Sequence, residues 1–259
     1  GSARPRMSPA AFAAVWPCRT RNSTPTGYGP RVGHAAPPAV VDGEQPAADR
    51  VGLDTNERSC YKWHVGRGQL TRHTVLDQAA RTASEVGLRG VTIGTLAELT
   101  NMSKSGLFAH FGSKESLQLA TVRHARDRFV ELVIRPALGA PRGEPRVRAL
   151  FENWLEWDTR ALPGGCLFVV AAVEFDDEPG PVRDELVRNQ VDLGETIARI
   201  VRTGIAEGHL RDDVDPEQFA FALQGILLGF HQYSRLLADP LAAHRARQAL
   251  DALFDAARP

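Results

Sequence analysis

T-I-G-T-L-A-E-L-T-N-M-S-K-S-G-L-F-A-H-F-G-S-K-E-S-L, residues 92–117, spells two short helices, a tight turn between them and the start of a third helix. Thr92 is placed to cap the first helix, and Ile93, Leu96 and Ala97 share one of its faces at three- and four-residue spacing. Ala97 is small enough for a second helix to cross closely. Asn101 stands where the turn needs a residue that tolerates positive φ, and after glycine asparagine is the usual choice. Met102 supplies the buried side chain of the turn. Ser103 caps the next helix, whose Leu107 and Phe108 follow at its fourth and fifth positions and leave Lys104, Ser105 and His110 to other faces. These polar residues suit a helix that enters a DNA major groove. Gly112 closes that helix, Ser113 caps the one after it, and Lys114 is free to meet a phosphate at the groove edge.

Ala97, Glu98, Ser103, Leu107, His110, Phe111, Lys114, Glu115 and Leu117 stand at the spacing of the DNA-binding domain of TetR-family transcriptional regulators, which this run resembles. It departs from the family pattern at Asn101, where the family has glycine, at Met102, where it has valine, and at Phe108, where it has tyrosine. The last change removes a hydroxyl that in the family often touches a phosphate, so Phe108 reads as a packing residue, against sugar or a thymine methyl. The resemblance implies an N-terminal three-helix head that binds double-stranded operator DNA. It further implies a larger α-helical domain that binds a small-molecule effector and dimerises, with no cofactor.

Upstream, Val75, Ala79, Ala83 and Val86 form one face of a helix from Thr71 that Gly87 and Gly90 stop, and it would brace the two short ones. The head is thus expected over residues 71–117 and the second domain over 118–259. Residues 1–70 hold eight of the seventeen prolines and no sustained period, which predicts disorder. Gly1-Ser2 reads as a cloning remnant before Met7, and a tag or a start codon assigned too far upstream would account for the whole leader. The apolar run from Ala10 to Trp16 is too short for a secretory signal. Arg58, Lys62 and Arg67 offer a basic arm to DNA as a weaker alternative role for the leader.

With 43% hydrophobic residues and no apolar run of membrane-spanning length, the 259-residue chain reads as a soluble globular protein with no membrane partner. Its net charge of zero hides an asymmetry: residues 71–135 carry nine basic and six acidic side chains, residues 136–259 thirteen and twenty. The basic stretch coincides with the helix-turn-helix. Cys18, Cys60 and Cys166 are odd in number and widely spaced, so they form neither a disulfide framework nor a zinc pattern, and a reducing cytoplasm is the natural compartment.

The rest of the chain is helical in period throughout, so the fold class is all-α. A helix from Ser113 is expected to end at Pro136, and another to run from Val147 to Leu162. Cys166 to Phe175 is apolar enough to be a buried helix. Two long helices follow, about 181–207 and 215–237, then a short one over about 241–257. In the TetR resemblance Trp154, Trp157, Cys166, Phe168 and Phe175 surround an apolar ligand cavity, although buried aromatics are more often plain core. The cluster Glu174, Asp176, Asp177 and Glu178 reads as a solvated loop whose charge favours the next helix start, not as a metal or catalytic site. No Gly-x-Ser-x-Gly, His-x-x-x-His, phosphate loop or Cys-x-x-Cys is present, so nothing supports an enzyme. The apolar stripes of the two long helices, with Gly204, Gly225 and Gly229, suit a four-helix homodimer interface. The expectation is a homodimeric repressor released from a palindromic operator by an apolar effector. The alternative is a helical small-molecule or lipid-binding protein whose helix-turn-helix is inert.

Overall fold

The computed structural model describes Arg67–Pro259, with side chains from Thr71 onward. The leader expected over residues 1–70, with Cys18, Cys60, Arg58 and Lys62, falls outside the described residues apart from the first turn of a helix. Among the described residues there are ten α-helices and no strand.

The head is α1 (Arg67–Val86), α2 (Ile93–Thr100) and α3 (Lys104–Phe111). α1 buries Val75, Leu76, Ala79, Ala80 and Ala83. Val86, expected on the same face, is 61% exposed, because Gly87 at φ +81° turns the chain away directly after it. Thr92 and Thr95 cap α2 reciprocally: the Thr92 hydroxyl accepts from the Thr95 N–H at 3.1 Å, and the Thr95 hydroxyl from the Thr92 N–H at 3.1 Å. Asn101 takes the left-handed conformation, φ 55° and ψ 34°, and the Met102 N–H then returns to the Ala97 carbonyl at 3.0 Å. Leu96, Ala97, Leu107 and Phe111 close the small core between α2 and α3.

α4 (Lys114–Phe129) continues through one π turn, Val130–Ile134, into α5 (Arg135–Gly139). Pro136 therefore does not end the helix. It has no N–H to give to the i−4 carbonyl, and the wider turn before it, closed by the Arg135 N–H on the Val130 carbonyl, keeps the chain helical past the gap. α6 (Glu144–Glu156) likewise runs into a π turn, Trp157–Ala161. α7 (Leu167–Phe175) faces the core with Leu167, Phe168, Ala171 and Phe175, but Val173 is 74% exposed, so this helix is one-sided and not buried all round. α8 (Pro181–Ala206) and α9 (Pro216–Arg235) pack on each other, and α10 (Ala242–Asp255) packs on α9. Asp215 starts α9 as the spacing predicts, its carboxylate accepting from the N–H groups of Glu217 and Gln218 at 3.0 and 3.1 Å.

The two faces of α3 differ sharply: Leu107 is 1% exposed and its neighbour Phe108 is 57% exposed. Leu107→Ala should therefore lower the unfolding free energy by about 2–5 kcal/mol, whereas Phe108→Ala should change it by no more than about 0.5 kcal/mol. Urea denaturation of both variants checks this; equal losses would overturn the assignment of faces.

Candidate DNA-binding face and ligand cavity

The head presents Lys104, Ser105, Phe108 and Lys114 to solvent, with Ser103 exposed at the start of α3 and Thr92 half-buried at the start of α2. Ser103 accepts from the Gly106 N–H at 3.1 Å, and Ser113 caps α4 by accepting from the Ser116 N–H at 3.0 Å. Both hydroxyls therefore fix helix ends before any ligand arrives. Lys104 runs back over the start of α2, its ammonium 4.0 Å from the place a Cβ on Gly94 would take. His110 is half-buried in the last turn of α3, its ring centroid 6.3 Å from that of Phe111. Among the seven residues expected to meet DNA, the structure brings Ser103, Lys104 and Ser105 together at one end of α3 and places Lys114 at the start of the following helix. Thr95, exposed beside Thr92, was not singled out by the sequence reading; its place three residues after a threonine cap is the signal that finds it.

A cavity of about 400 Å³ opens between α4, α6, α7, α8 and α9. Of the five expected lining residues, Trp154, Cys166 and Phe168 are on its wall. Trp157 is not: it lies behind Phe168, stacked at 6.5 Å and 20°, with the Phe129 ring edge-on at 5.4 Å. Phe175 belongs to a separate cleft between the head and α8, where the Arg89 guanidinium lies 5.3 Å over its ring. Burial pushes the Cys166 thiol up to about 11, so it stays protonated and acts as a small apolar wall residue. The sequence reading missed the polar groups of the cavity. Asn189 and Gln224 line it, and both amide atoms of Asn189 are buried without a hydrogen-bond partner. These residues sit inside the apolar stripes of long helices, where spacing alone does not separate a lining amide from a solvated one. Arg126 and Asp192, paired at 2.6 Å, form part of the rim. Closer to the start of α8, Glu185 ties that helix to α4 through Arg123 at 2.9 Å. Burial works against its charge, but hydrogen bonds from Arg188 and Arg123 hold its carboxyl below the usual carboxylate range.

The helix that lines the cavity is pinned to the head at both ends. Before α7, the Gly164 N–H donates to the Ser84 hydroxyl of α1 at 3.0 Å, and a Cβ on Gly164 would collide with the Ser84 carbonyl. At the far end the Glu174 carboxylate accepts from the N–H groups of Leu88 and Arg89 at 2.7 and 3.3 Å. Gly87 makes room, since a Cβ there would strike that carboxylate. Glu178 adds an ion pair to Arg89 at 2.6 Å. Glu174 and Glu178, read from sequence as part of a solvated loop, are instead contacts to the head, a correction that only the approach in space of residues 88 and 174 could supply.

Two family profiles match the chain: residues 75–121 fit "Bacterial regulatory proteins, tetR family", and residues 143–250 fit "Tetracyclin repressor-like, C-terminal domain". The HTH-type transcriptional repressor AcnR of Corynebacterium glutamicum is 29% identical over 161 residues, which cover 62% of this chain and 79% of that protein. A TetR transcriptional regulator from Chloroflexus aurantiacus superposes with a TM-score of 0.66 at 28% identity, over 73% of this chain and 94% of that one. AibR, solved in complex with isovaleryl coenzyme A and operator DNA, shares the fold with a TM-score of 0.60 at 22% identity, over 71% and 98%. The head geometry, the helical domain behind it and these matches agree: the chain belongs to the TetR family of DNA-binding transcriptional regulators, not to a family of enzymes.

Proposed function

We propose that the protein is a homodimeric repressor that holds a palindromic operator and is released from it by a small, mainly apolar effector. The observation that carries this reading is that α7 both lines the cavity and is fastened at its two ends to the head. The relative AcnR is named a repressor, and the neighbour AibR was solved with both an acyl thioester and operator DNA.

On this reading Lys104 and Ser105 meet base edges, Ser103 and Thr92 lie against the backbone, and Lys114 meets a phosphate, with Phe108 and His110 flanking them. The effector is apolar along most of its length, against Trp154, Phe168 and Leu227, and ends in a neutral polar group that satisfies the stranded amide of Asn189. Its binding favours a conformation in which α7 shifts and α4 is displaced. The two heads then no longer match major grooves one helical turn, about 34–36 Å, or a multiple apart. Dimerisation supplies the second head. Phe221, Leu228 and Tyr233 of α9 and Val191 of α8 are 74, 51, 45 and 63% exposed, and Gly225 and Gly229 leave open space beside them. A second copy packing by the same face buries this stripe.

Lys114→Ala should weaken binding to all duplexes alike and lower the slope of log affinity against log salt by about one unit. Lys104→Ala or Ser105→Ala should change the selected base sequence. An unaltered salt slope for the first, or unaltered selected sites for both of the others, removes these residues from the interface. Sedimentation should show a dimer that Phe221→Arg converts to monomer while its helical circular dichroism persists; a dimer indifferent to this change places the interface elsewhere. In a screen of apolar compounds, a true effector should alter tryptophan emission and release operator DNA over the same concentration range, and Cys166→Trp should weaken both responses. Glu174→Ala should keep the emission response but shrink the coupling to DNA, ordinarily about 5–150-fold, towards none. Full release in that variant would show that the signal passes by another route.

A further inference from the structure

Away from the cavity, α1 and α4 bring together three side chains that the regulator reading does not use. His73 and Asp77 lie one turn apart on α1, with His73 Nδ1 3.3 Å from Asp77 Oδ2, and His124 of α4 places its Nε2 2.8 Å from Asp77 Oδ1. The two imidazoles meet edge to face at 4.6 Å, and one donor atom from each of the three residues lies within 4.8 Å of the others. His124 is 7% exposed and so fixed in place, whereas His73 is 62% exposed and free to swing. The cluster borders a wide depression between α1 and α4 that also carries Asp127 and Glu131, so an ion and its water ligands have a path in.

We propose that His73, Asp77 and His124 form a binding site for a divalent transition-metal ion of the zinc class, clasping α4 to α1. Two imidazoles and one carboxylate are a donor set that suits such an ion, and three protein ligands leave a fourth position for water. Metal–ligand distances near about 2.0–2.1 Å put tetrahedral donor atoms roughly 3.3 Å apart. The His73–Asp77 separation already has that value, but it is measured to Oδ2, whereas His124 meets Oδ1, and the three donor atoms, within 4.8 Å of one another, have to draw in by a swing of the exposed His73. Arg128 is the competitor. Its guanidinium lies 2.9 Å from the same Asp77 Oδ1 and is 45% exposed, so the entering ion displaces it into water. Because one ligand pair sits on the head and the third on the helix that leads to the effector cavity, the ion stiffens the junction about which the head is set.

The test is a calorimetric titration of the full-length, tag-free chain, stripped with a chelator, with zinc chloride alone. One equivalent per chain should bind, and the melting temperature should rise by roughly 5 °C at saturating zinc. Cobalt in place of zinc should give the visible absorption bands of a four-coordinate site. His73→Gln, at an exposed position where folding is safe, should weaken zinc at least about tenfold and shrink the thermal shift accordingly, since even the loss of a group that only supports a metal ligand costs about that much. Arg128→Gln should tighten zinc binding by removing the rival cation, a gain that a merely structural hydrogen-bond cluster does not produce. Absence of stoichiometric binding, or affinity that survives both His73→Gln and His124→Gln, overturns the site and assigns any zinc uptake to other residues such as the cysteines.

Discussion

The backbone of Leu88 is held from two directions. Its N–H goes to the Glu174 carboxylate of α7, and its carbonyl takes the Gln118 amide of α4 at 2.9 Å. Leu88 itself is fully buried, so its N–H and carbonyl have to find protein partners, and the carbonyl takes the Val91 N–H at 3.2 Å as well. The loop that closes α1 is thereby the point at which the head, the connecting helix and the cavity helix meet. Gly87 is required there twice over, once for its positive φ and once because any side chain would displace Glu174. A movement of α7 that carried the Glu174 carboxylate away would break the hydrogen bonds it accepts from the head.

The same economy of contacts shapes the cavity. π turns follow α4 and α6, and in both places the widened turn sets aromatic or branched residues, Val130, Ile134 and Trp157, at or just behind the wall. Arg126–Asp192 at the rim and Arg123–Glu185 nearer the start of α8 tie α4 to α8. Arg126–Asp192 is exposed on both sides and contributes little to stability, whereas Glu185 is buried, so its arginine partners offset the cost of a buried charge. Their effect is to hold register between the helix that leaves the head and the long helix that packs on α9. On the proposed mechanism the ligand works against these ordered contacts.

The head was legible in sequence because each of its features is local. A threonine cap, an asparagine at positive φ and a serine cap follow one another within twelve residues, and each makes the backbone bond that its chemistry predicts. Helix spans from α6 to α10 also followed from apolar period and from Pro and Gly punctuation. Where this punctuation misled, at Pro136, the chain had a wider turn available that no residue type announces.

What the sequence by itself determined is the all-helical fold, the reading head and the family, since these rest on hydrogen bonds and spacings between residues a few places apart. Only the tertiary structure decided that Trp157 and Phe175 leave the cavity, that Asn189 enters it, that Glu174 grips residue 88, and that His73, Asp77 and His124 meet. Each of these joins positions tens of residues apart, and a helical period fixes which face a side chain takes but not which distant helix that face will find.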